Sequence, residues 1–160
     1  MSRDLDKIDR KILAELESDG RLSIVELAVR VNLTNTPCSE RVRRLERDGF
    51  ISGYRAVLDL EMLNLSHLTV VQVSLTATGG DDSLERFTAA VRRIPEVESC
   101  LMTAGSFDYV LIVRTRNMAH FRMVLGDKLN KLPGIMQTNS FAVMETVKEA
   151  KEYRGAPQAD

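Results

Sequence analysis

Apolar residues in the first third of the chain recur at the three- and four-residue spacing of amphipathic helices. This spacing predicts a first helix from about Asp6 to Ser18, and Asp19-Gly20 ends it. Its apolar face consists of Leu5, Ile8, Ile12, Leu13 and Leu16. Asp6 and Asp9 stand three positions apart and predict a capping box, which places negative charge at the positive end of the helix dipole.

Two shorter helices joined by a tight turn are predicted between residues 23 and 47. Their apolar stripes consist of Ile24, Leu27, Ala28 and Val31 in the first and of Cys38, Val42 and Leu45 in the second. Asn32 lies at the turn, because asparagine tolerates the left-handed conformation. Thr34 is the expected N-cap of the second helix, and Thr36 followed by Pro37 is a competing start. Small domains place a helix in the DNA major groove in this way, although an ordinary solvated helical hairpin explains these residues equally well.

The outer face of this last helix carries polar and basic side chains that are able to reach DNA. The predicted DNA-binding residues are Asn35, Thr36, Ser39, Arg41, Arg43, Arg44 and Arg47. We expect Ser39 and Arg43 to face the bases. We expect Arg41, Arg44 and Arg47 either to contact phosphates or to pair within the protein.

The pattern changes after this helix. Asp48-Gly49 ends it, and residues 50–58 predict a small β-hairpin or wing. Residues 4–58 are therefore expected to form a winged helix–turn–helix DNA-binding domain. Residues 59–66 (DLEMLNLS) are expected to form a linker.

Strand and helix patterns alternate over residues 67–149 in the order βαββαβ. Strands are predicted at residues 68–76, 97–103, 107–115 and 135–147. Ser83 and Asn117 are expected to cap the two helices. A helix–proline–strand passage occurs twice, at Pro95 and Pro133, which are 38 residues apart and indicate an internal repeat. This order predicts a ferredoxin-like sandwich, so the chain as a whole is assigned to the α+β class. The open face of such a sheet predicts a homodimer.

Composition narrows the function classes. With 160 residues, 44% hydrophobic and 28% charged, the chain is typical of a soluble globular protein with one or two domains. No apolar run is long enough to span a bilayer and the N-terminus has no apolar signal core, so we expect no membrane contact and a cytoplasmic location. Cys38 and Cys100 are too few for a disulfide framework or a zinc site, and neither a metal nor a cofactor is expected. The polar residues 150–160 are expected to form a tail.

Charge points to weak DNA binding by a single copy. The net charge is −1, and residues 1–55 hold 11 Lys and Arg against 10 Asp and Glu. Several copies on one DNA would raise the effective concentration and tighten binding.

The second domain also holds methionines that are expected to pack in its core, namely Met102, Met118, Met123, Met136 and Met144.

Several segments carry a family resemblance. DLDKIDRKIL, DGRLSIVELAVRV and TPCSERVRRLERDGFISGY resemble the Lrp/AsnC family of bacterial and archaeal transcription regulators, and the last is most similar to its leucine-responsive branch. AGSFDYVL and GIMQTNSFAVMETVK resemble the family's glycine-centred turn and last strand. The resemblance runs from about Asp4 to Glu149. It implies a winged helix–turn–helix that binds double-stranded DNA and a ferredoxin-like domain that dimerises and binds an amino acid, with dimers assembling into an octamer.

The resemblance also implies an effector site in a cleft between dimers. The residues carried over by position are Gly105, Ser106, Phe107, Asp108, Thr138 and Ser140. Asp108 would hold the ammonium group of an amino acid, and backbone N–H groups of the glycine-containing turn would hold its carboxylate. Without the resemblance, Asp108 is more simply a turn residue that caps its own backbone. Ser106 stands where many family members have aspartate, so a neutral or apolar effector is favoured over lysine or arginine.

Two other functions stay open. One is a small enzyme built on the ferredoxin-like domain, with the helical unit as a dimerisation arm. The sequence offers it no paired base and nucleophile, no metal cluster and no phosphate loop. The other is an amino-acid-binding protein that does not bind DNA.

Overall fold

The computed structural model describes residues 4–76 and 80–148 of the 160-residue chain. The chain divides between Val57 and Leu58 into two compact units, the second of which is Leu58–Thr146. Each unit has its own hydrophobic core. Within the described ranges, no helix is long and apolar enough to cross a membrane. The predicted polar tail, residues 150–160, lies outside these ranges.

The first unit contains the three predicted helices, α1 (Lys7–Ser18), α2 (Ile24–Val31) and α3 (Asn35–Arg47). The capping box of Asp6 and Asp9 at the start of α1 is confirmed, since each side chain accepts the other's backbone N–H. Asn32 ends α2 with a φ of 58°, in the left-handed region, as predicted. The apolar stripes meet in one core whose buried members are Ile12, Leu27, Ala28, Val31, Cys38, Val42 and Leu45.

The start of α3 lies where the sequence predicts it. Thr34 occupies the N-cap position, although its hydroxyl makes no capping hydrogen bond. Pro37 lies in the first turn, where a missing N–H leaves no helical bond unmade. The competing start at Thr36 is therefore wrong.

The predicted β-hairpin over residues 50–58 is wrong. Residues 51–59 contain no strand. A hairpin in this stretch would have strands of only three or four residues on either side of Ser52-Gly53, and isolated two-stranded hairpins are marginal in water. The stretch is held against the helices instead. Ile51 N–H donates to the Leu45 carbonyl at 3.1 Å, and Tyr54 hydroxyl donates to Glu46 Oε1 at 3.0 Å.

The second unit has the βαββαβ order predicted from the sequence. Its elements are β1 (His67–Leu75), α4 (Gly80–Val91), β2 (Val97–Met102), β3 (Tyr109–Thr115), α5 (Met118–Asp127), a 3₁₀ turn (Leu129–Lys131) and β4 (Ile135–Ala142). The sheet order is β2-β3-β1-β4 with every pairing antiparallel, which is the ferredoxin-like arrangement. The α+β class is thereby confirmed.

Several boundaries differ from prediction. Helix α4 begins at Gly80, so Ser83 lies inside the helix and does not cap it. Asn117 does cap α5, where its side chain accepts His120 N–H at 2.8 Å. Strand β4 ends at Ala142 and not at residue 147, because β1 begins at His67 and, in the register that pairs Thr69 with Ala142, offers no partner to residues 145–147.

One face of the sheet is covered by both helices. Val71 and Val73 of β1 and Leu111 and Val113 of β3 are fully buried there. They pack with side chains of α4 and α5, of which the buried ones are Phe87, Val91, Phe121 and Val124. The opposite face carries Val70, which pairs with Ile112 on one side and Phe141 on the other. Phe141 is 53% exposed, so the described residues leave this second face uncovered.

The methionines lie at the surface, contrary to the prediction that they pack in the core. Those exposed are Met102, Met118, Met123, Met136 and Met144. On α5 the inward positions belong to Phe121 and Val124, which leaves Met118 and Met123 on the outer side.

Candidate nucleic-acid interface and ligand-binding turn

Helix α3 presents one polar face to solvent. Four of the predicted DNA-binding residues are exposed on it and a fifth is partly exposed, namely Asn35, Thr36, Arg43, Arg47 and Ser39. Arg43 has no hydrogen-bond or ion-pair partner among the described residues, so its guanidinium is available to an acceptor outside the chain. Arg47 Nε lies 3.1 Å from Asp48 Oδ1, in an exposed pair that contributes little.

Arg41 and Arg44 point elsewhere. Arg41 Nη1 lies 2.6 Å from Asp6 Oδ2 and 2.8 Å from Asp9 Oδ1. Arg44 Nη2 lies 2.7 Å from both carboxylate oxygens of Asp9. Both arginines therefore bind α1. Of the two roles predicted for them, pairing within the protein is the one that the geometry favours.

These four side chains form a charge cluster between α1 and α3. Asp9 is only 3% exposed, and a carboxylate so buried requires charged hydrogen-bond partners, which the two arginines provide. The backbone N–H of Asp9, and after it the Arg41 guanidinium, lower the pKa of Asp6 to about 2. Hydrogen bonds to Asp6 and Asp9 in turn raise the pKa of Arg41. Asp6 and Arg41 thus stay ionised at neutral pH.

Sequence reasoning found the capping role of Asp6 and Asp9 but missed their arginine partners. The spacing of the pairs was the available signal. Two acids three positions apart on α1 and two arginines three positions apart on α3 each occupy one side of a helix.

The candidate ligand-binding turn spans residues 104–108, between β2 and β3. Thr103 closes it, because its N–H donates to the Asp108 carbonyl and its hydroxyl to the Phe107 carbonyl, each at 2.8 Å. Gly105 and Ser106 are exposed. A Cβ added at Gly105 would meet no atom within 4 Å, so packing within the chain does not require a glycine there.

Asp108 fastens the turn to the end of β1. Its N–H donates to the Val73 carbonyl at 2.9 Å, and its Oδ2 accepts Leu75 N–H at 2.7 Å. The capping role considered from the sequence is thus present, although the backbone that Asp108 caps belongs to β1. The side chain is exposed and Oδ1 has no partner among the described residues.

Thr138 and Ser140 lie on the other side of β1. Thr138 stands opposite Val73 and Ser140 opposite Val71 in the β1–β4 pairing. The Thr138 hydroxyl lies 3.4 Å from Asn130 Oδ1, and Ser140 is exposed. Asp108 and Thr138 therefore flank the same residue of β1, at one end of the sheet.

No group of three or more His, Cys, Asp or Glu side chains that could hold a metal ion occurs in the described part of the chain. Cys38 is a buried core residue of the first unit, as predicted, and Cys100 is a free thiol in β2.

Comparisons with known proteins agree with this geometry in both units. Residues 5–52 match the winged helix-turn-helix DNA-binding family model, and residues 69–153 match the Lrp/AsnC ligand-binding domain model. The chain is 49% identical over 148 residues to the leucine-responsive regulatory protein of Salmonella typhimurium, a match that covers 92% of this chain and 90% of that one.

Solved structures agree as well. A transcriptional regulator from Neisseria meningitidis in complex with L-Met superposes with a TM-score of 0.87 at 37% identity, covering 91% of this chain and 94% of that one. An AsnC family transcriptional regulator from Agrobacterium tumefaciens gives the same TM-score at 32% identity, covering 92% and 95% of the two chains.

Proposed function

Because the chain belongs to the Lrp/AsnC family of DNA-binding transcription regulators, we propose that its assembly and its DNA binding respond to a free amino acid of neutral or apolar character. The proposal rests on two features of the described residues together. Arg43 on the outer face of α3 has no partner among them, and the exposed, glycine-containing turn holds Asp108, whose Oδ1 has none either. A regulator of transcription acts where the DNA is, so a cytoplasmic location belongs to the same proposal. The relatives are transcriptional regulators, and no observation favours an enzyme.

In the DNA complex, α3 acts as the recognition helix. Arg43 reads a base edge, and Ser39 contributes a shorter polar contact beside it. Asn35 and Thr36 lie at the N-terminal end of the helix, which enters the groove first in this motif. Arg47 at the other end contacts a phosphate, since its pair with Asp48 is exposed and easily exchanged.

An alanine substitution tests this interface. Arg43→Ala should weaken binding to a duplex selected by the wild-type protein by roughly 1–3 kcal/mol. Arg21→Ala is the matched control, because Arg21 is an exposed arginine in the loop before α2 and its loss changes the net charge equally. If the two variants bind with equal affinity in an anisotropy titration, α3 is not part of the DNA interface.

The effector binds at the turn of residues 104–108. Asp108 Oδ1 accepts the ammonium group while Oδ2 keeps its bond to Leu75. Gly105 lets the ligand approach the backbone closely, and Ser106 leaves the site one carboxylate short of what a basic amino acid would need. Phe107, Thr138 and Ser140 complete the predicted site. Relatives support this class of ligand, since one is named leucine-responsive and another is solved with L-Met.

Isothermal titration with leucine, methionine, lysine and arginine tests the effector class. Leucine or methionine should bind, and tight binding of lysine or arginine alone would contradict the proposal. Asp108→Asn is a sharper variant than Asp108→Ala. Its amide oxygen can still accept Leu75 N–H, so the turn keeps its fastening to β1 while the charge for the ammonium group is lost. Unchanged affinity in Asp108→Asn would place the site elsewhere.

The assembly is proposed to be a homodimer that associates further into an octamer, with the effector between dimers. A ligand in that position acts by favouring one assembly over another. Its effect on DNA affinity is limited to its differential affinity for those assemblies, typically about 1–3 kcal/mol.

A further inference from the structure

Helix α3 carries four arginines, yet they do not present four charges to DNA. Arg43 and Arg47 lie on the exposed face. Arg41 and Arg44 lie on the flank that packs against α1, where both bind Asp9 and where Arg41 also binds Asp6. Two carboxylates neutralise two guanidinium groups there. Half of the arginine charge of α3 is therefore paired with carboxylates of the protein itself and is not presented to DNA.

We propose that Asp6 is a specificity-determining residue, because it holds Arg41 away from DNA phosphates and so limits binding to DNA of arbitrary sequence. Phosphate contacts supply essentially all of non-specific binding, whereas base contacts supply specificity. A recognition helix in the major groove has a phosphate backbone along each flank. An arginine released on a flank would gain a phosphate partner whatever the sequence.

The geometry identifies Asp6 as the residue on which the retention of Arg41 depends. The side chain of Asp9 is 4% exposed, so a phosphate cannot reach it or displace it. The side chains of Asp6 and Arg41 are 49% and 26% exposed, so a phosphate can compete with Asp6 for the outer edge of the guanidinium. Asp6 resists this competition because the capping box fixes its carboxylate. Oδ1 accepts Asp9 N–H at 2.7 Å, which leaves Oδ2 aimed at Arg41.

Asp6→Asn isolates the charge from the cap. Asparagine is as good an N-cap as aspartate, and its amide oxygen can accept Asp9 N–H, so α1 should keep its start. The negative charge of Asp6 beside Arg41 is lost, and Asp9 alone then faces the two arginines. Asp19→Asn is the matched control, since Asp19 is an exposed residue of the same unit that makes no ion pair with any described residue, and its loss changes the net charge equally.

The measurement is the affinity of the full chain for a random-sequence duplex between 50 and 200 mM salt. Relative to Asp19→Asn, Asp6→Asn should steepen the slope of log K against log salt by about 0.9, the value for one added phosphate contact. The ratio of the affinity at 50 mM salt to the affinity at 200 mM salt should therefore be about 3.5-fold larger for Asp6→Asn than for Asp19→Asn. The double variant Asp6→Asn/Arg41→Gln should return to the control slope. Equal slopes for Asp6→Asn and Asp19→Asn, or a steeper slope that survives Arg41→Gln, would overturn the proposal.

A second variant keeps the test decisive if Asp6→Asn folds poorly. Arg41→Gln alone should leave the salt slope unchanged, because the proposal keeps Arg41 off the phosphates in the wild-type complex. A slope that becomes shallower by about 0.9 in Arg41→Gln would show that Arg41 already contacts DNA, and Asp6 would then have no such role.

Discussion

Among single residues, Glu96 shows how one buried charge depends on its neighbour. Its Oε1 lies 2.6 Å from Lys128 Nζ, whereas its buried Oε2 has no hydrogen-bond partner among the described residues. Burial acts to raise the pKa of Glu96, but the hydrogen bond from Lys128, a backbone hydrogen bond and the charge of Lys128 together outweigh burial and hold the pKa below its ordinary value. The nearby His120, 3.9 Å away, adds a smaller effect in the same direction.

Lys128→Met should therefore destabilise the second unit, by about 1–3 kcal/mol at pH 7, because it leaves a buried carboxylate without its partner. The sign of the pH dependence follows. With Lys128, the stabilisation is present above the unfolded pKa of Glu96 and is lost as the pH falls. Without Lys128, burial is the largest remaining influence on Glu96 and acts to raise its pKa, so the stabilisation at neutral pH is lost. The difference in the free energy of unfolding between the variant and the wild type, measured by urea unfolding, should then grow from pH 4 to pH 7.

Lys131→Met is the control for this prediction. Lys131 pairs with Asp127 one turn earlier, and both side chains are largely exposed, so its loss should cost less than about 0.5 kcal/mol. A similar loss of stability in both variants, independent of pH, would mean that the Glu96–Lys128 pair stabilises the protein no more than an exposed pair does.

For single residues, the sequence predicts the local role of a side chain better than it predicts the distant residues with which that side chain forms hydrogen bonds. The capping role of Asp6 and Asp9 was predictable because a cap depends on residues three positions apart. The bonds to Arg41 and Arg44 span more than 30 residues and depend on how two helices pack. Asp108 is similar, since nothing in the turn's own sequence indicates that its carboxylate accepts a hydrogen bond from Leu75.

Among the elements, β4 is preceded by a residue whose conformation favours glycine. Gly134 has a φ of 76°, and a Cβ added to it would lie 2.8 Å from the Ser83 hydroxyl oxygen on α4. Its carbonyl also accepts Thr76 N–H at 2.9 Å, beyond the end of β1. The residue thus joins β4, β1 and α4 at one end of the sheet.

Gly134→Ala should destabilise the protein by about 1–3 kcal/mol, since the backbone strain and the contact with Ser83 act together. The double variant Gly134→Ala/Ser83→Ala should recover part of that loss, because it removes the hydroxyl and leaves only the strained φ. Thermal unfolding measures both. No recovery in the double variant would assign the whole cost to the backbone.

The types of the helices and strands were predictable because local signals set them. Asn32 and Asn117 ended and began helices as predicted, and Ser23 and Glu26 form a second capping box that the same signature would have found. The hairpin over residues 50–58 failed because strand-like composition does not supply a pairing partner. The predicted end of β4 was wrong for the same reason, since the start of β1 limits how far the two strands can pair.

At the scale of the whole molecule, the uncovered face of the sheet is the feature that calls for a partner. Across its centre, Ser99, Ile112, Val70 and Phe141 stand in register on β2, β3, β1 and β4. Leu101 is 56% exposed on the same face. Exposed apolar surface of this kind on a sheet is characteristic of an interface between copies. The near-neutral DNA-binding unit gives the same expectation, because several copies are needed for tight binding.

Phe141→Lys should therefore reduce the mass of the protein in light scattering at micromolar concentration, toward that of a monomer. Phe141 is exposed within one chain, so a lysine there does not disturb the core and places a charge only where a second copy would lie. Val29→Lys makes the same chemical change at an exposed apolar residue of α2 and should leave the mass unchanged. If Phe141→Lys keeps the wild-type mass, the copies meet through another surface, and the apolar row across the sheet requires a different explanation.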